Sequence, residues 1–185
     1  MKTEASLTYF ELLIPEEAIR KRIQEIARTL EADYEGKEIL LVMIMKGSLL
    51  LVADLIRALQ IKVCIEFVSC SSYGESGTVR GRLRVNGLEQ INAEGKHILV
   101  VDDIFDSGHT LLGVIDRLQK MQPESMKTLV LLSKRVPRNV PYQPDYVLFD
   151  IEDRFVVGYG LDYKEHFRGL PGVYALLLEN LPTQN

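Results

Sequence analysis

At 185 residues, with 46% hydrophobic and 26% charged residues, the chain has the composition of one globular domain able to bury a substantial core. Acids outnumber bases 26 to 22, and the resulting net charge of −4 argues against a nucleic-acid partner. Met1-Lys2-Thr3-Glu4-Ala5 is not followed by the apolar run of a signal peptide, and no apolar stretch approaches membrane-spanning length, so a cytoplasmic protein without a membrane partner is expected.

Residues 1–14 hold a short apolar run, Tyr9-Phe10 and Leu12-Leu13-Ile14, that no period assigns to an element. Pro15-Glu16-Glu17 opens a helix, with proline at its start and acids in the first turn. Ile19, Ile23, Ile26 and Leu30 recur at helical spacing opposite Arg20, Lys21, Glu25 and Arg28, the pattern of a scaffold helix. After Gly36-Lys37, Ile39–Met45 reads as a strand buried on both faces. Lys46-Gly47-Ser48 then leads into an apolar helix over Leu49–Leu59. A strand, a glycine turn and a helix start offer backbone N–H groups to an anion, with Lys46 adding charge. Such turns often carry glycine for conformational reasons alone.

Val63–Ser69 reads as a third strand. Cys64 and Cys70 stand six residues apart, at about 3.3 Å per residue, too far to bridge, so buried free thiols are expected. Neither they nor His97, His109 and His166 have metal-ligand spacing. From Ser71 to Arg82, glycine and serine crowd out apolar residues, a loop composition, before Leu83–Val85 returns as a strand.

Ile98-Leu99-Val100-Val101 is the next buried strand, closed by Asp102 and Asp103. Asp106-Ser107-Gly108-His109-Thr110 leads into a helix whose apolar face is Leu111, Leu112, Val114, Ile115, Leu118 and Met121, with Pro123 beyond its end. That helix start would present unpaired N–H groups to an anion, and Gly108 allows close approach or positive φ. Carboxylates do not bind phosphate, so Asp102 and Asp103 must serve otherwise, by accepting hydrogen bonds from ribose hydroxyls or by holding Mg²⁺. An isolated Asp-Ser-Gly would more simply cap a helix.

Lys127–Ser133 is another buried strand. Strands alternating with helices predict an α/β fold with a mostly parallel central sheet flanked by helices. Ligands on such sheets gather beyond the C-terminal strand ends, where Lys46, Asp102, Asp103 and Lys134 would converge. Pro137, Pro141 and Pro144 then interrupt the chain, and Tyr146–Ile151 and Phe155–Leu161 read as short strands with no helix between them.

A hydrophobic strand followed by two acids, two apolar residues and Asp-Ser-Gly-x-Thr resembles the phosphoribosyl-diphosphate motif of the type I phosphoribosyltransferases. Lys46-Gly47 resembles the pyrophosphate loop of the purine enzymes of that family, where the peptide before the lysine tends to be cis. Ser72-Tyr73 resembles the family's catalytic loop. Lys134-Arg135-Val136-Pro137-Arg138, the run from Asp153 to Tyr163, and Glu165-His166-Phe167-Arg168 closely resemble hypoxanthine-guanine phosphoribosyltransferases, so the likeness spans Leu40 to Leu170.

The resemblance implies one domain over residues 1–185, a mobile lid over 71–84, and a small hood for the base built from the N-terminal segment and residues 134–185. It implies a purine-salvage transferase that moves the phosphoribosyl group of 5-phosphoribosyl 1-diphosphate to N9 of hypoxanthine or guanine, giving IMP or GMP and pyrophosphate, with Mg²⁺. Asp106 would be the general base at N7. Asp102, Asp103 and Asp106 would meet the ribose, and Ser107, Gly108, His109 and Thr110 the 5′-phosphate. Lys46, Gly47 and Arg168 would take the pyrophosphate. Lys134 would donate to the 6-oxo group, Phe155 would stack on the base and Val156 would offer backbone hydrogen bonds, with Asp162 close by. Asp102, Asp103 and Asp162 would serve the metal. Ser72 and Tyr73 would belong to a lid that shields an oxocarbenium-like sugar from water. Homodimers or homotetramers are expected from the relatives.

Three positions depart from the usual pattern: Asp102 where glutamate precedes aspartate, His109 where lysine is frequent, and Arg154 where lysine is common. They bear on affinity and base preference, and the choice among hypoxanthine, guanine and xanthine stays open. A rival class is a regulator built on the same fold that binds RNA or DNA, disfavoured by the acidic balance and the purine-like tail. A receiver-type signalling domain carries its acidic pair on the first strand rather than past mid-chain.

Overall fold

The computed structural model describes residues 9–73, 82–138 and 140–177. Its strands are β1 (Phe10–Ile14), β2 (Ile39–Met45), β3 (Val63–Tyr73), β4 (Arg82–Asn86), β5 (His97–Phe105), β6 (Ser125–Lys134), β7 (Tyr146–Ile151), β8 (Val156–Val157) and β9 (Val173–Leu176). Its α-helices are α1 (Glu16–Asp33), α2 (Leu49–Ala58) and α3 (His109–Gln119). Continuous apolar runs form the middle of the main sheet because both of their faces are covered. Along β2, Ile39, Leu41 and Met43 pack with α1 and α2, while Leu40, Val42 and Ile44 face the α3 side. The same alternation holds in β5, where Leu99 and Val101 oppose Ile98 and Val100. Each fully buried Leu, Ile or Val of these layers contributes about 1.5–3 kcal/mol.

The main sheet has the order β4-β3-β2-β5-β6-β7. β2, β3, β5, β6 and β7 are mutually parallel, and only β4 runs antiparallel, on the β3 edge. The expected parallel α/β sheet is therefore present. A second sheet, β1-β9-β8, is antiparallel and joins residues from both ends of the chain. No helix among the described residues is long and apolar enough to cross a membrane.

Several boundaries differ from expectation. β3 extends to Tyr73 and pairs Ser71, Ser72 and Tyr73 with Arg84, Leu83 and Arg82, so both ends of the stretch read as a loop are laddered. Residues 74–81 of the expected lid lie outside the described residues. Asp102 and Asp103 do not close β5; the strand continues through Ile104 and Phe105, which pair with Leu132 and Ser133. Lys134 is the last residue of β6 rather than the first beyond it. Phe155–Leu161 shrinks to Val156–Val157, because Gly158 and Gly160, at φ +94° and +99°, leave the extended region. The unassigned run before Ile14 becomes β1, held by β9, a strand the pattern did not reveal. Both cysteines are free, but Cys64 is exposed rather than buried and Cys70 half-buried, because β3 lies toward the edge of the sheet with only the short β4 beyond it.

Candidate active site

The C-terminal ends of β2 and β5, the strands β3 and β4, and the segment after β8 enclose a cavity of about 300 Å³. Its lining includes Lys46 and Gly47, Asp102 and Asp103, Asp106, Ser107, Gly108 and Thr110, then Asp162 and Arg168, with Cys70 and Leu83 on the side of β3 and β4. Ten residues expected to act on the sugar-phosphate therefore share one space. His109, Lys134, Phe155 and Val156 are not part of that lining.

Lys46 follows β2 through a cis Met45–Lys46 peptide, as the resemblance implied. Its Nζ lies 2.9 Å from Glu165 Oε2. The following Gly47 admits no side chain: a Cβ there would overlap the Asp103 carboxylate. Gly160 in turn packs its Cα against the Gly47 carbonyl, where any Cβ would collide. Two glycines thus let the β2 turn, the β5 carboxylate and the segment after β8 meet at backbone distance.

Asp102 is buried, and its Oδ1 accepts the Asp103 N–H at 3.0 Å. Burial, with the neighbouring Asp103 charge behind it, pushes its pKa well above the usual carboxylate range. Burial also raises Asp103, whose Oδ1 accepts the Ile104 N–H at 2.8 Å. Two adjoining carboxylates held this way favour a nearby cation or hydroxyl donor.

Beyond β5 the chain turns through Asp106-Ser107-Gly108. Gly108 has φ +80°, and a Cβ on it would strike the Phe105 ring and Val140. No side chain caps α3; Gly108 stands at its N-cap, and the first N–H groups of an 11-residue helix point toward the cavity end. The simpler reading of Asp106 and Ser107 as helix caps is thereby excluded. Arg138 fixes this turn from the β6 side. Its Nε donates to the Asp106 carbonyl at 2.8 Å, and Nη2 to the Phe105 carbonyl and Ser133 Oγ, both at 3.1 Å. Its guanidinium also lies over the Phe105 ring, 4.5 Å from the centroid.

Lys134 reaches the site through Asp106: its Nζ is 3.5 Å from Asp106 Oδ2 and 3.0 Å from Asp153 Oδ1, and the side chain is only 12% exposed. Phe155 is largely exposed and meets the Tyr163 ring edge-to-face at 5.6 Å, while Val156 is buried and paired with Ala175 in the second sheet. Asp162 Oδ1 is 2.8 Å from Arg168 Nη2, and its Oδ2 accepts the Glu165 N–H at 2.8 Å. Ser72 and Tyr73 are the last two residues of β3. Asp102, Asp103 and Asp162 all line the cavity, yet among the described residues no three His, Cys, Asp or Glu side chains close around a common point. Sequence reading missed Arg138, Asp153, Gly160 and Glu165. All four lay within or beside the segments that carried the resemblance, and only their partners across the fold reveal what they do.

A family model described as "Phosphoribosyl transferase domain" matches residues 13–164. The hypoxanthine-guanine phosphoribosyltransferase of Aquifex aeolicus is 40% identical over 166 residues, covering 89% of this chain and 93% of that one. The hypoxanthine phosphoribosyltransferase of Salmonella typhimurium is 39% identical over 171 residues, covering 91% and 96%. Among solved structures, a mutant Trypanosoma cruzi hypoxanthine phosphoribosyltransferase in a ternary substrates complex superposes with a TM-score of 0.86 at 39% identity, covering 93% of this chain and 98% of that one. With the cavity, the acidic strand and the glycine turns in place, these likenesses agree: the chain belongs to the phosphoribosyltransferase family, among the hypoxanthine-guanine phosphoribosyltransferases.

Proposed function

We propose that the protein transfers the phosphoribosyl group of 5-phosphoribosyl 1-diphosphate to N9 of a 6-oxopurine, releasing pyrophosphate. One observation carries this reading: a single cavity joins a helix N-terminus, the buried Asp102 with the half-buried Asp103 beside it, and two cationic side chains, with Lys134 bridging to Asp106. The first N–H groups of α3, with Ser107 and Thr110, suit a 5′-phosphate. Asp102 and Asp103 suit ribose hydroxyls and a metal. Their hard oxygen donors fit Mg²⁺, and two carboxylates rather than a closed set of three suit an ion that completes its shell with substrate oxygens and water. Bound there with Asp162 nearby, Mg²⁺ would supply neutralising charge to the diphosphate leaving group.

Lys46 and Arg168 receive that leaving group from two sides. Lys134 donates to the 6-oxo group, a preference for oxopurines over 6-aminopurines, since an ammonium has no acceptor to offer an amine. Asp106 takes the N7 proton as N9 attacks C1 of the ribose. Phe155 stacks on the base and Val156 offers it backbone hydrogen bonds, so the small β1-β9-β8 sheet serves as the hood. Ser72 and Tyr73 stand at the base of the lid. The reading extends to a cytoplasmic salvage enzyme acting as a homodimer or homotetramer; Ile65 and Phe67, exposed on one face of β3, supply apolar surface for self-association. The regulator alternative draws no support from relatives named as transferases.

The test is an assay of the purified protein with adenine, hypoxanthine, guanine and xanthine, each with 5-phosphoribosyl 1-diphosphate and Mg²⁺. Hypoxanthine or guanine should yield nucleotide and pyrophosphate, adenine should not, and excess chelator should abolish the reaction. Full activity in chelator would remove the metal. A salt-dependent RNA affinity without turnover would restore the regulator.

A further inference from the structure

Lys46 and Arg168 come to the cavity from distant parts of the chain, and one carboxylate holds both. Glu165 Oε2 is 2.9 Å from Lys46 Nζ, and Oε1 is 3.3 Å from Arg168 Nη2. Arg168 has other anchors, Asp162 Oδ1 and the Gly160 carbonyl, each at 2.8 Å. Lys46 has none: among the described residues Glu165 is its only carboxylate partner. Glu165 itself lies outside the cavity lining, with a side chain 65% exposed. It is presented by a tight turn in which Lys164, Glu165 and Phe167 all have positive φ and Tyr163 and His166 are bridged. A non-glycine residue in that region is uncommon and is held by its surroundings. The two cations draw the Glu165 carboxyl below its ordinary range.

We infer that Glu165 is an internal counter-anion for the pyrophosphate-binding pair, holding Lys46 and Arg168 in the free protein and yielding them to the diphosphate. The inference rests on the proposed role of those two cations. Exposed ion pairs are individually weak and readily exchanged. A diphosphate carries more charge than one carboxylate and offers several acceptor oxygens, so it displaces Glu165, whose side chain returns to solvent without losing hydration. The contest lowers affinity for pyrophosphate and keeps product release open. A carboxylate that merely positioned the cations would act in the opposite direction, since its removal would loosen the pair and weaken binding.

Inorganic pyrophosphate with Mg²⁺, titrated calorimetrically into the intact protein, separates these cases. Glu165→Gln should bind pyrophosphate about three- to tenfold more tightly. Its KM for 5-phosphoribosyl 1-diphosphate should fall while that for the purine base stays the same. Glu165→Asp, too short to span both cations, should move in the same direction by less, and serves if the glutamine variant folds poorly. Unchanged or weaker pyrophosphate binding in the variants, with binding intact in the unaltered protein, would overturn the counter-anion. Absence of pyrophosphate binding by the unaltered protein would instead overturn the assignment of Lys46 and Arg168.

Discussion

Asp106 has its backbone and its side chain held by different groups. Arg138 binds its carbonyl, and Lys134 stands 3.5 Å from its carboxylate. Replacing Asp106 with asparagine keeps the size and the backbone bonds but removes the proton acceptor. We expect Asp106→Asn to lower kcat by about 10²–10⁴-fold, the usual share of a general base, with little change in binding of 5-phosphoribosyl 1-diphosphate. Steady-state turnover and a substrate titration decide it, and equal turnover would take the role from Asp106. Residues singled out by type and order that line the cavity, such as Asp102, Asp103, Lys46 and Arg168, were legible in the sequence. Those that act through a partner were not. Arg138 sits in a proline-interrupted segment, where an arginine is ordinarily a solvated side chain. Glu165 is 119 residues from Lys46, a pairing that no local pattern can announce.

At the scale of elements, the end of α1 is tied to β6 and β7 by three polar groups. Lys127 Nζ lies 2.9 Å from Asp33 Oδ2 and 2.8 Å from the Tyr146 hydroxyl, which also donates to Asp33. Hydrogen bonds from Tyr146 and then Lys127 hold Asp33 below the usual carboxylate range, while those from Tyr146 and Asp33 hold Lys127 above its own. A depressed carboxylate contributes stability that is present above its unfolded pKa, about 3.9, and is lost as pH falls through the folded value. The raised Lys127 contributes below its unfolded pKa, about 10.4, and loses it only at higher pH. Asp33→Asn should therefore cost up to about 1 kcal/mol near neutrality and progressively less below about pH 4. Urea denaturation of both proteins across that range would show the two curves converging, and a gap independent of pH would refute the linkage. This tie was invisible in the sequence, whereas α1, β2 and β5 were plain, because their periods of burial are local. β1 and β9 were not, being short strands defined by pairing with each other across the length of the chain and, for β9, with the two-residue β8.

At the scale of the whole molecule, the small sheet shares a core with the main one, and the segment after β8 closes onto the site, where Gly160 rests on the Gly47 carbonyl and Gly47 rests on Asp103. Sequence order could place Lys46-Gly47 and Asp102-Asp103 at neighbouring strand ends, because a parallel sheet gathers such ends. It could not show that the tail closes onto them, since that depends on how the second sheet docks. Adding one methyl at Gly47 tests whether this contact sets the geometry of the site. The new Cβ would collide with the Asp103 carboxylate, so either Asp103 rotates or the β2 turn shifts. Overpacking of this kind costs about 1–3 kcal/mol of stability. The larger effect should fall on catalysis, because a displacement near 1 Å costs about 10²-fold in rate. We expect Gly47→Ala to lower kcat/KM by about that factor while the protein stays folded. Gly160→Ala, which presses on the same turn from the other side, should give a similar loss, and the double variant less than the product of the two, since both act through one displacement. Unaltered kcat/KM in a folded Gly47→Ala protein would show that these segments meet there without governing the chemistry.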